Sequence, residues 1–279
     1  MLKNIFLLIS ALFISLAGIA FADDFANISL ISAKKYLGNA KQKLNIEILY
    51  PYLPNESFDN NPTNTFNDVI EDALQQEVTS FKEMAKENKG EARRPTANAL
   101  NIDYNSAIIK PSHHAVISVR FNIEGYVSGM AHPYHYHQAL NYDLENAKTL
   151  ALDDLFSNQT NYLQVISQYC QDELNKKLVS VDRTMIQTGT APKSDNYKNW
   201  NLLPNGLLIT FDAAQVAPSV YGTQTVLIPY QFLKPLVSKE APIASCTIHP
   251  RKCRSDLLSG GFLESAIETG HRGFDPRLS

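Results

Sequence analysis

The chain has 279 residues, 44% of them hydrophobic, and a formal net charge of −3. That length and apolar content support a sizeable core and exclude wholesale disorder. The charge excludes a basic nucleic-acid binder and weakly favours a basic protein partner.

The chain opens with "MLKNIFLLISALFISLAGIAFADD". Lys3 precedes an almost continuous apolar run from Ile5 to Ala20, and Ala20 and Ala22 supply small residues where a signal peptidase reads. Residues 1–22 are therefore predicted to be a signal peptide, and the mature protein, starting at Asp23, to be periplasmic or secreted. A retained membrane anchor fits less well, because the run is short for a span and no basic cluster follows it.

Residues 25–53 read as strands; in "LNIEILY", Leu44, Ile46, Ile48 and Tyr50 alternate with polar neighbours. "PYLPNESFDNNPTN" is loop. A helix is predicted from a Thr65 cap to about Glu87, with Phe66, Val69, Ile70, Ala73, Leu74, Val78, Phe81 and Met84 on one face. "NIDYNSAII" and "AVISVRFNI" follow as strands; in the second, Ile117, Val119, Phe121 and Ile123 oppose Ser118, Arg120 and Asn122. After "ALNYDL" and "LALDDLF" comes a second helix, Asn161 to Leu178, with Leu163, Ile166, Cys170, Leu174 and Leu178 on its apolar stripe. "NLLPNGLLITFD" reads as strand, Asn-Gly turn, strand, and "GTQTVLIPY" as a further strand. The tail from about Ser238 has no strand period and only a weak helical one. The fold class expected is α+β: two small modules, each an antiparallel sheet packed against one main helix. Their expected bounds are residues 23–124 and 125–240, with 241–279 as a tail that is either an ordered appendage or a poorly ordered extension.

Three of the seven histidines lie in "GMAHPYHYH". On a strand, His135 and His137 share one face and Tyr134 and Tyr136 the other. Two imidazoles can meet one zinc, but a third ligand would have to come from His132 or from His113 or His114, and no Asp, Glu or Cys completes a recognisable set. The simpler reading is a strand with its histidines on a wet face and no metal; a metal site built from His132, His135 and His137 is the alternative. Ser128 in "GYVSG" lacks nucleophile-elbow spacing, and Asp153-Asp154 reads as a capping pair. No phosphate-cradling loop or other cofactor motif is present, so no cofactor is expected. Cys246 and Cys253 bracket a short loop and are expected to pair, leaving Cys170 shielded on its helix.

"GMAHPYHYHQALNYDLENAKTLALDDLF" resembles the opening of the RsiV-type extracytoplasmic domain family. Gly129, Ala131, His132 and Pro133 match its signature, with Met130 in place of a second glycine. The resemblance resumes in "LLPNGLLITFDAAQVAPSVYGTQTVLIPY", at Gly206, Phe211, Val216, Ala217, Pro218, Gly222, Ile228, Pro229 and Tyr230. It covers about residues 125–237, and residues 27–123 resemble, more loosely, the module that precedes this domain in PdaC-like proteins. The resemblance implies that the Gly-x-Ala-His-Pro stretch is a turn into a strand, with His132 bonding locally. It also implies a lysozyme-binding module, here without the sigma-binding segment or the deacetylase domain of such relatives.

The function expected is thus an exported non-enzymatic binding protein, whose partner is a lysozyme-like protein or cell-wall component. Contact residues are expected in the loop from Asp212 to Gly222, including Asp212, Gln215, Val216 and Tyr221. The alternatives are a cell-wall glycan-modifying enzyme or accessory, using His132 and a carboxylate, and a periplasmic metal-handling protein.

Overall fold

The computed structural model describes residues 28–39, 43–54, 62–88, 97–111, 114–158, 160–249 and 253–258. The expected signal peptide, His113 and the tail beyond Leu258 lie outside the described residues. None of the described helices is long and apolar enough to cross a membrane.

The α+β class read from the sequence holds. A large sheet contains β1 (Ile31–Asn39), β2 (Leu44–Tyr52), β3 (Asn98–Pro111), β4 (Val116–Tyr126), β5 (Tyr134–Asp143) and β6 (Lys148–Thr149) in that order. A second sheet contains β7 (Trp200–Leu203), β8 (Gly206–Phe211) and β9 (Gln224–Pro229).

The long helix α1 (Pro62–Glu87) joins β2 to β3, and those two strands pair in parallel, not antiparallel as expected. A helical crossover is the connection that parallel neighbours require. The helix begins three residues before Thr65, at a proline whose missing amide costs nothing in the first turn. Phe66, Ile70, Leu74, Val78, Phe81 and Ala85 bury its apolar face on the sheet. Asn67 ties helix to strand, its Oδ1 accepting from the Leu53 amide at 2.9 Å and its Nδ2 donating to the Leu53 carbonyl at 2.8 Å.

The other face of β3 and β4 carries the second sheet, an arrangement that the sequence did not signal. Ile108 and Ile117 point to the α1 core, whereas Ala107, Ile109 and Val116 point to a second core. That core is filled by β7–β9, α2 (Tyr162–Lys177), α3 (Arg183–Gly189), α4 (Tyr230–Leu233) and α5 (Ala244–Ile248). Strands buried on both sides lose the in–out contrast on which alternation depends. Helix α3, absent from the sequence reading, is capped by Asp182, whose side chain accepts from the Thr184 amide at 2.9 Å.

The expected boundary at residues 124 and 125 falls inside β4, which pairs with β5 from Val116↔Asp143 to Gly125↔Tyr134. The histidine stretch therefore belongs to the large sheet. The tail contributes a strand the sequence did not signal: β10 (Cys253–Leu258) pairs antiparallel with Ser106–Pro111 of β3. It continues the edge of β3 that β2 occupies at Asn98–Ile102, so two strands distant in sequence share one edge end to end. Cys246 and Cys253 are bonded, their Cα atoms 5.4 Å apart, while Cys170 is free and buried, with its thiol pKa raised by desolvation.

The β7–β8 turn comprises Pro204 and Asn205, because Leu203 pairs with Gly206. Gly206 is already in the strand, and a Cβ there would lie 2.3 Å from the Ile228 carbonyl oxygen. Gly206→Ala must push β8 from β9 and is expected to cost about 1–3 kcal/mol in urea unfolding, as overpacking does. Non-reducing peptide mapping after unfolding is expected to label one thiol, at Cys170; label at Cys246 or Cys253 would contradict the bond.

Candidate functional site

One face of the large sheet is polar from its open end to the point where the second sheet covers it. Backbone pairing sets Asp103 opposite Asn122 and Asn122 opposite His137; Asn105 lies opposite Arg120, and Glu124 opposite His135. Directly opposed residues project from the same face, so these side chains form one array.

At the covered end the array becomes a buried seam. The Ser118 hydroxyl donates to Asn141 Oδ1 at 2.7 Å and accepts from the Leu202 amide and from Asn201 Nδ2, both at 3.0 Å. Asn141 Nδ2 donates to the Trp200 carbonyl at 2.9 Å, and Asn201 Nδ2 to the Val119 carbonyl at 2.9 Å. All of these groups are buried, and a buried polar group is tolerated when its bonds are made; Asn201 Oδ1 is the exception, with no partner among the described residues.

Arg120 continues the seam outward. Its guanidinium donates to Asn105 Oδ1 at 2.7 Å and to Thr210 Oγ1 at 3.4 Å. Burial lowers its pKa to about 10, against the favourable fields of Asp103 and Asp212. Asn122 Nδ2 donates to Asp103 and to Asn105.

His137 is the last buried member, and the wet-face reading fails for it. Only 6% of its side chain is exposed. Its Nδ1 stands 2.6 Å from Asp212 Oδ1, and its backbone amide donates to the same oxygen at 3.1 Å. Asn199 Nδ2 donates to Asp212 Oδ2 at 3.1 Å. His135 is exposed, its ring lying edge-on to that of His137 with centroids 4.8 Å apart. Partial desolvation, then the neighbouring His137, lower the His135 pKa. On the opposite face Tyr134 and Tyr136 stack at 5.9 Å, and Tyr136 bonds Glu77 of α1. Burial and the Glu77 carboxylate push the Tyr134 hydroxyl up to about 12.

The signature residues sit where the chain turns into β5. Gly129 has φ 103°, a conformation that suits glycine, whereas His132 is exposed and no described residue bonds its ring. The structural histidine is thus His137 and not His132. No three His, Cys, Asp or Glu side chains among the described residues converge on a possible metal position, so the His132–His135–His137 set does not assemble. Asp154 caps its own turn, accepting from the Ala151 amide at 2.9 Å.

Of the expected contact residues, Val216 is fully buried and Asp212 is tied to His137 and Asn199. Gln215 accepts from the Asp212 amide at 3.3 Å and donates to the Gly189 and Asn196 carbonyls at 3.1 and 3.0 Å. Val216 packs inside the loop, and Asp212 and Gln215 are half-buried with their side chains bonded into its base. Ala217 packs beneath it, Pro218 is exposed, and Gly222 closes it at φ 64°. Val220, which the sequence reading passed over, is 86% exposed, and Tyr221 is 41% exposed.

The architecture is that of an α+β protein whose two sheets meet across a polar seam. Residues 153–231, which include α2, α3 and the whole second sheet, match the model of a family described as a protein of unknown function, DUF3298. Over 207 residues the chain is 28% identical to the peptidoglycan-N-acetylmuramic acid deacetylase PdaC of Bacillus subtilis, covering 73% of this chain and 41% of PdaC. It is 28% identical over 108 residues to the esterase Rv3036c of Mycobacterium tuberculosis, covering 39% of this chain and 47% of the esterase. The chain therefore spans less than half the length of either relative. A crystal structure of a DUF3298 family member from Bacteroides fragilis superposes with a TM-score of 0.55 at 18% identity, covering 78% of this chain and 95% of that one. A second, from Pseudomonas aeruginosa, gives 0.52 at 15% identity, covering 76% and 94%. Both share the fold.

His137→Ala removes the partner of a part-buried carboxylate and is expected to cost about 1–3 kcal/mol in urea unfolding. His135→Ala, on the exposed side, should stay within about 0.5 kcal/mol. Equal losses would refute this division of roles.

Proposed function

We propose that the chain is an extracytoplasmic, non-enzymatic binding protein of the cell envelope, and that it recognises a lysozyme-like, cell-wall-acting protein through the loop from Asp212 to Gly222. The observation that carries this reading is the apolar tip formed by Val220 and Tyr221 on a braced base. An exposed aliphatic–aromatic pair has little reason to project into water, and a loop already fixed by internal bonds loses little entropy on binding. Tyrosine is enriched at such contacts. The similarity to PdaC supports an envelope setting, and the resemblance to the RsiV-type domain supports the choice of partner. The formal charge of −3 favours encounter with a basic partner in a salt-sensitive way.

A hydrolytic reading is favoured by one observation, the His137–Asp212 pair, whose geometry is that of an oriented base. The similarity to an esterase adds to it. The described residues place no Ser or Cys in hydrogen bond with that pair, which leaves binding as the better reading.

Calorimetry with purified lysozymes at low and physiological salt is expected to show saturable heat that weakens with salt, and Val220→Ala with Tyr221→Ala should weaken it at least about tenfold. No heat across several lysozyme types would overturn the choice of partner. Turnover of peptidoglycan or of a simple ester, abolished by His137→Ala, would replace binding with hydrolysis.

A further inference from the structure

We propose that His135 and His137 form a binding site for a divalent transition ion, copper above zinc, with Asp212 as the group that orients His137. Its ligands lie on β5 and not on the loop tip, although Asp212 also begins that loop.

Three features of the strand and its neighbours support it. First, His135 and His137 are two residues apart on β5 and project from one face. Their ring centroids are 4.8 Å apart and their planes 87° apart. With metal–nitrogen bonds of about 2.0 Å, two imidazoles sharing an ion hold their centroids roughly 4.5–5.2 Å apart for ligand angles between square and tetrahedral. The rings already stand at the separation that an ion would impose.

Second, His137 has the ring placement of a metal ligand. Its Nδ1 is bound to Asp212, and none of the described residues bonds its Nε2. A carboxylate that takes the Nδ1–H leaves the lone pair on Nε2 and fixes the plane of the ring, the usual outer support of a coordinated histidine. Asp212 is itself held by Asn199 Nδ2 at 3.1 Å and by the His137 amide at 3.1 Å, so the orienting group is fixed from two sides.

Third, the surroundings suit a cation. Glu124 lies directly across from His135, and Asp103 is opposite Asn122, the cross-strand neighbour of His137. Exposed His135 gives an ion access from solvent, while His137 holds it from the buried side. No third His, Cys, Asp or Glu among the described residues converges with the pair. The remaining positions therefore fall to water, a set of two imidazoles and water oxygens that a tetragonal copper ion accepts and for which copper heads the divalent series.

The test is titration of the untagged full chain with copper(II), followed by calorimetry and by electron paramagnetic resonance. One saturable equivalent is expected, with hyperfine structure from two imidazole nitrogens. His135→Ala, which removes an exposed side chain and leaves the seam intact, should weaken binding more than about tenfold, and Asp212→Asn by about tenfold as other outer supports do. His132→Ala should leave affinity unchanged. Thermal melting of each variant without metal separates lost ligation from lost fold. Absence of saturable binding, wild-type affinity in the folded His135→Ala protein, or loss of binding in His132→Ala would each overturn the assignment.

Discussion

The structure depends on a polar contact between two sheets. Ser118 of β4 and Asn141 of β5 meet Asn201 and Leu202 of β7 through hydrogen bonds that water does not reach. An apolar interface of the same size tolerates sliding, since dispersion is nearly indifferent to small shifts. Hydrogen bonds are not indifferent: moving β7 by one residue would leave Ser118, Asn141 and Asn201 buried without partners, at a cost of about 1–3 kcal/mol each. The seam therefore sets the register of the second sheet on the first, and the hydrophobic residues around it supply the bulk of the attraction.

Everything distinctive about the candidate site follows from that docking. Arg120 is buried because Thr210 of β8 lies over it. His137 is buried because Asp212, just beyond β8, reaches back to β5. The same aspartate begins the loop that carries Val220 and Tyr221, so the polar array and the exposed tip share a foundation. A change at the seam would be felt at both, although the loop tip contributes no bond to it.

Much of the fold was legible where one face is wet and the other dry. Alternation located β2, and the 3.6-residue period located the buried face of α1. Alternation also located β4, but did not show that both faces of that strand are dry. Ser118, Arg120 and Asn141 carry the pattern of a solvent face, and only the partner strand, remote in sequence, makes that face an interior. One signal was available: Asn201, with 0% exposure, interrupts the run from Trp200 to Leu203, and a lone amide in an apolar strand needs a buried partner. The role of His137 was hidden for the same reason, because Asp212 is 75 residues away. Helix α3 escaped because seven residues are too few to show a period. In β10 the pairing is backbone to backbone, so side-chain patterning gave little sign of it.

The placement of β10 bears on how the chain is made. Cys253 pairs with Pro111 and Leu258 with Ser106, so one edge of β3 receives its neighbour only after the ribosome has added the intervening residues. Until then the growing polypeptide presents an unpaired edge, the kind of template on which chains join one another. A translation product cut short before residue 253 would keep α1, the long strands and both cores except for Cys253 and its bond to Cys246, yet carry that edge permanently. Its failing would lie in association between molecules more than in the folding of any one of them.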